Sequence, residues 1–200
     1  SLVDTTLRAP KVSVDRELRG SCLTMTGGTD GSTVQVSLRQ NMTLEDGSLI
    51  QGDVTFTGTN LARLTVKDST ITGMVSGLIL QLQDATIGGT EGCHQLTFEG
   101  ATNKITGDLV LGNNIGLGFS LGSGNITSPC LTIGGDMKQA DAEAASCGIT
   151  LYLQGKGLVE GEQYALISMA SHTTPKVWES AQVTVNSADP FMTKESLVWL

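Results

Sequence analysis

A short phrase recurs along this chain at the spacing of one turn of a stacked β coil. It reads Gly47-Ser48-Leu49-Ile50-Gln51-Gly52, then Ser69-Thr70-Ile71-Thr72-Gly73, Ala85-Thr86-Ile87-Gly88-Gly89 and Asn103-Lys104-Ile105-Thr106-Gly107. The closing glycines stand 21, 16 and 18 residues apart, which suits one coil of a solenoid and none of the common helical repeats. A longer version ends in an acid: Ile50-Gln51-Gly52-Asp53-Val54, Ile105-Thr106-Gly107-Asp108-Leu109 and Ile133-Gly134-Gly135-Asp136-Met137. In a solenoid each coil buries its apolar face only against its neighbours, so equivalent positions reuse the same residue types. A β-sandwich has strands of similar length but no reason to repeat a turn phrase. The repeat therefore favours the solenoid, with the sandwich as the rival.

Composition agrees. The chain has 25 glycines, 25 threonines and eight aromatic residues, a poor recipe for a helical bundle. Threonine suits a pleated surface and glycine suits tight turns and close backbone approach. Prolines stand at Pro10, Pro129, Pro175 and Pro190, which leaves residues 11–128 free of them. A hydrogen-bonded ladder needs that, because proline has no N–H to donate. Apolar residues alternate with polar ones at Val34, Val36 and Leu38, at Leu64 and Val66, and at Leu78, Leu80 and Leu82. That period of two marks half-buried strands.

These patterns divide the chain into a lead-in or N-terminal cap over 1–19, β coils over 20–135, and a capping region over 136–200. The last region continues the β structure through Ile149–Leu153, Tyr164–Ile167 and Val183–Val185. It also holds the only helix-prone run, residues 138–147 (KQADAEAASC), rich in alanine. Both tryptophans and both tyrosines fall in this last third, as expected of a cap that covers exposed strand edges.

Two segments resemble a block found in large bacterial surface proteins. They are Phe119-Ser120-Leu121-Gly122-Ser123-Gly124-Asn125 through Leu131-Thr132-Ile133-Gly134-Gly135-Asp136, and Gly161-Glu162-Gln163-Tyr164-Ala165-Leu166-Ile167-Ser168. The resemblance, over roughly residues 44–170, is to autotransporter-like passenger regions of Gram-negative bacteria. It implies a right-handed parallel β-helix, a place outside the cell or on the outer-membrane surface, and a role as a stalk or adhesive segment of a longer protein. The translocating barrel of an autotransporter is not in this sequence.

A net charge of −8 and the lack of any basic run argue against nucleic acid and anionic membrane as partners. The most apolar window, residues 74–82 (MVSGLILQL), is too short to span a bilayer. No signal-peptide pattern opens at Ser1, which reads as a mature segment.

Candidate chemistry is thin. Cys22, Cys93, Cys130 and Cys147 form no CxxC pair, so a structural zinc site is not expected. Cys130 and Cys147 stand about one coil apart and are either disulfide partners or buried apolar thiols. Asp46, Asp68 and Asp84 precede the recurring phrase and would share one corner of the stack. Either a calcium ion offsets their repulsion, or each simply tolerates a turn conformation and accepts a hydrogen bond there; the second is preferred. The same holds for Asp53, Asp108 and Asp136. A polysaccharide lyase or glycosidase would need a groove of carboxylates and bases with aromatic rings for sugars. Arg63 and Lys67 share a strand face with Thr65, Glu99 and Lys104 follow, and Phe56 and Phe98 are the central aromatics. His94 beside Cys93, and His172 beside Ser171, are the possible bases for a nucleophile, with ordinary surface histidines preferred. The glycine-rich stretch 112–124 lacks the spacing of a phosphate loop, and Gly116, Gly118 and Gly122 are expected at corners. Asn41-Met42-Thr43 and Asn125-Ile126-Thr127 match the N-glycosylation pattern.

The sequence thus assigns no catalytic, cofactor-binding or metal-ligating residue. It points to an extracellular structural or adhesion module without catalysis of its own, with a host glycan or protein and the remainder of its parent chain as partners. A carbohydrate-binding or carbohydrate-cleaving β-helix is the alternative, and a β-sandwich interaction module a further one.

Overall fold

A computed structural model describes residues 1–30, 32–140, 148–155, 158–170 and 182–187. The protein is all-β, and every strand pairing among these residues is parallel. Neighbours in sequence do not form hairpins. Each strand instead pairs with one a lap further along the chain, and the sheet curls. This parallel, curled sheet is compatible with the coils the repeated phrase anticipates, and it departs from the antiparallel pairing of a sandwich.

The first lap holds β1 (Leu2–Val3), β2 (Thr6–Arg8) and β3 (Lys11–Val14). Pairing thus begins at the second residue, within the segment read as a lead-in. Then come β4 (Leu18–Ser21), β5 (Thr24–Thr26) and β6 (Val34–Leu38), followed by β7 (Met42–Glu45), β8 (Leu49–Ile50) and β9 (Gly52–Phe56). Next are β10 (Arg63–Lys67), β11 (Thr70–Ser76), β12 (Ile79–Gln83), the long β13 (Thr86–Glu99), β14 (Asn103–Ile105) and the long β15 (Leu109–Leu121). The later laps hold β16 (Leu131–Ile133), β17 (Met137–Gln139), β18 (Gly148–Gly155), β19 (Ile167–Met169) and β20 (Gln182–Ser187).

The registers sort these strands into columns. In the first, Leu7, Met25, Ile50, Ile71, Ile87, Ile105, Ile133 and Met169 lie one above another. The recurring phrase is this column's strand with its turn. In the second, Val12, Val36, Val54, Val75, Thr90, Leu109 and Met137 align. In the third, Leu18, Met42, Leu64, Leu80, Leu96, Leu117 and Leu151 align, beside Gly20, Leu44, Val66, Leu82, Phe98, Phe119 and Leu153. The apolar side chains of these columns form one continuous core, with Leu7, Val12, Leu18 and Met169 partly buried against it. Leu64, Val66, Ile71, Leu80, Ile87, Leu96 and Ile105, expected inside from the alternation, are all fully buried. Strands about 4.8 Å apart bring like side chains into contact at every lap. Phe98 and Phe119 meet there with ring centroids 5.3 Å apart.

One corner is built the same way on successive laps. Asp4, Cys22, Asp46, Asp68, Asp84 and Gly100 each follow a third-column strand or its first-lap counterpart. All have positive φ, between 44° and 87°. Aspartate enters the left-handed region more readily than most residues, so the recurrence of Asp before the phrase has a backbone cause.

The helix expected over 138–147 is not seen where the structure describes that stretch. Met137–Gln139 is strand β17, paired with Leu109–Leu111. Ladder bonding there overrides local helix propensity, a weak preference beside tertiary pairing. Residues 141–147 lie outside the described residues. The single described helix is a short 3-10 turn at Ser123–Ile126. No described helix is long and apolar enough to cross a membrane.

Candidate functional site

The corner aspartates act as turn residues. Asp46 accepts a hydrogen bond from the Ser21 hydroxyl at 2.7 Å. Asp84 Oδ1 accepts from Ala101 N and Thr102 N, both at 3.1 Å, and from Thr102 Oγ1 at 2.7 Å. A β-carbon on Gly100 would collide with that carboxylate. The acids of the second phrase work similarly. Asp53 Oδ1 accepts from Met74 N at 2.8 Å, and Asp108 Oδ1 from Asp136 N at 2.9 Å. Both donors lie one lap on. Asp108 and Asp136 are lap neighbours, and Lys138 Nζ sits 2.5 Å from Asp108 Oδ2 and 3.7 Å from Asp136 Oδ2. The hydrogen bond from Lys138 holds the Asp108 carboxyl below the ordinary carboxylate range. Among the described residues no group of three or more His, Cys, Asp or Glu is placed to hold a metal ion.

The thiols separate by burial. Cys93 and Cys130 are free and buried. Burial pushes the Cys93 thiol up to about 11. Burial, with the Asp84 carboxylate adding to it, pushes Cys130 up to about 12. Neither is a ready nucleophile, since the thiolate is the reactive form. Cys130 carries a free thiol; Cys147, its candidate disulfide partner, lies outside the described residues. Cys93 is buried and His94 exposed on consecutive positions of β13, so strand alternation points them to opposite faces. They form no dyad. Ser171 and His172 lie outside the described residues.

Arg63, Thr65 and Lys67 share the outer face of β10, as the alternation requires. Glu99 joins Lys67 in one register line through Gln83. Lys104 does not: it lies in the first column, paired with Thr86. Phe98 is wholly inside and Phe56 only partly exposed. Phe98 thus takes the interior position open to it and offers no surface for a sugar ring.

The glycine-rich stretch is also not a run of corners. Gly116 and Gly118 lie within β15, where the Tyr152 ring from the next lap leans over Gly116. Asn125 of the second glycosylation pattern is buried and accepts a bond from Gly122 N at 2.9 Å. Asn41 of the first is exposed, and its Oδ1 accepts from Arg63 N at 2.9 Å.

What the sequence did not reveal is an open groove of about 570 Å³ at the end of the third column. Gln83, Glu99, Ser120 and Gln154 make its floor, one from each of four successive laps in a single register line. Gly100, Ala101, Gly122 and Asn125 form its wall. Two residues before Gln154, on the same outer face of β18, Tyr152 is 40% exposed. Strand alternation could have put each of these side chains outside. The line itself was hidden because its members share no residue type.

No protein-family model, curated protein or solved structure matches this chain.

Proposed function

We propose that the curled parallel sheet is a right-handed β-helix closed by a C-terminal capping region, and that it serves as an extracellular structural or adhesion module of a larger bacterial surface or secreted protein. The observation that carries this reading is the in-register stacking of whole laps. Leu, Ile, Val and Phe fill the inside at each level, while Thr, Ser, Gln and charged residues cover the outside. Such a stack is quasi-one-dimensional: each lap rests on its neighbours, and length can be added without redesigning the core. A rigid spacer needs that property, and so does a surface that presents side chains at fixed intervals. The net charge of −8 favours solubility of a long β surface. The proposed cell-surface location rests on the resemblance of residues 44–170 to passenger regions.

Antibodies raised against the chain test the location. On intact cells of the native host they should label the surface, and external protease should remove the label. Labelling that appears only after permeabilisation would overturn the reading.

A further inference from the structure

We infer that the groove over Gln83, Glu99, Ser120 and Gln154 is a binding site for a neutral oligosaccharide lying along the stacking direction. This rests on the groove and not on where the protein resides.

The floor strands leave a ligand only side chains to bind. β12 pairs with β10 and β13, β13 with β12 and β15, and β15 with β13 and β18. The backbone donors and acceptors of these middle strands are taken up by the ladder on both edges, so a peptide cannot add as another strand. Recognition falls to two primary amides, a hydroxyl and a carboxylate. Glutamine offers donors and an acceptor, serine both, and glutamate acceptors only. A ligand that matches this set presents many groups that donate and accept at once, which is the chemistry of sugar hydroxyls.

The spacing is regular. From Gln83 to Gln154 the line rises three laps, about 14 Å at the strand separation of parallel sheets. The volume of about 570 Å³ lies within the range of small-molecule sites, roughly 300–1,000 Å³. Tyr152 stands beside the line on the same outer face of β18, partly exposed, with its ring leaning over Gly116. An aromatic face with adjoining polar groups suits the apolar face and rim hydroxyls of a pyranose.

Charge narrows the class. Glu99 is the one ionisable side chain in the lining, and the chain as a whole is acidic. Uronic acids and sialic acids would meet like charge, which raises the cost of binding. Neutral hexose or pentose chains would not.

The test is binding of the intact chain to an array of neutral oligosaccharides, with oligogalacturonate and sialylated glycans alongside. Titration of the best neutral ligand into Gln83→Ala, Gln154→Ala and Tyr152→Ala variants follows. Thermal melts verify that each outward-facing variant is folded. Binding to a neutral class, about tenfold weaker in each folded variant, is the expected result, since each loses one or two contacts. Binding to none of the neutral glycans, binding confined to acidic ones, or affinity unchanged in the folded variants would overturn the assignment.

Discussion

Asp84 folds its carboxylate over Gly100, the residue one lap ahead of it in the stack, and there accepts the backbone N–H groups of Ala101 and Thr102. The bond belongs to neither lap alone. Gly100 has φ +87°, so it meets two demands at once, a left-handed backbone and an open space beside it.

Gly100→Ala should therefore cost more than an ordinary left-handed glycine. The added methyl strains the backbone and displaces the carboxylate, about 2–4 kcal/mol together. Gly47, at φ +78° with nothing within 4 Å of its absent side chain, supplies the comparison. Gly47→Ala should cost only about 1 kcal/mol. Urea denaturation midpoints of the two variants check the difference, and equal midpoints would remove the role given to Asp84.

Thr90 occupies a level of the second column otherwise filled by Val, Leu and Met. Its buried hydroxyl has no hydrogen-bond partner among the described residues. Thr90→Val keeps the shape and removes the orphan oxygen, so stability should rise by about 1 kcal/mol. A lowered midpoint in chemical denaturation would show that the hydroxyl is satisfied in solution.

Ile105 stands between Ile87 and Ile133 with no exposed surface. Ile105→Val should cost about 1 kcal/mol. Ile105→Asp buries an unpaired carboxylate, costs several kcal/mol and should abolish the cooperative melt. Unchanged melting of the Asp variant would remove the register itself.

Asp108 adds a pH dependence. Its carboxyl is held below the ordinary range, chiefly by the hydrogen bond from Lys138, so the folded state binds that proton less readily than the unfolded state. The resulting stabilisation is complete above the unfolded pKa and is lost as pH falls through the lower folded one, in the window below about pH 4. Asp108→Asn should flatten the fall in stability in that window while leaving the profile near pH 7 parallel to wild type. Both residues are largely solvated, so the effect is small. Melts from pH 2.5 to 7 measure it.

Much of the fold was legible because burial selects residue type. The first column keeps Ile at Ile50, Ile71, Ile87, Ile105 and Ile133, and the corner keeps Asp at Asp46, Asp68 and Asp84. A stack that repeats geometry repeats these. Outward positions answer only to solvent and to any ligand, so Lys67, Gln83, Glu99, Ser120 and Gln154 carry no shared signature although they form one line. Partners one lap apart, such as Asp108 and Lys138, were hidden by unequal lap lengths. Propensity misled at Lys138 and Gln139, where a paired neighbour outweighs a helix-forming side chain. Gly116 and Gly118 misled because a glycine read as a corner can also lie within a strand, where Gly116 seats a ring.

The central claim is the stacking of laps in parallel register, and distances between spin labels on the third column test it most directly. With labels introduced as noncanonical residues to spare the native thiols, Thr43 and Tyr152 are five levels apart, which predicts about 24 Å. Thr65 and Tyr152, one level closer, should give about 19 Å. A distance that shortens by one strand spacing per level is the predicted result. Distances that do not follow the level count would contradict the stack and every assignment built on it.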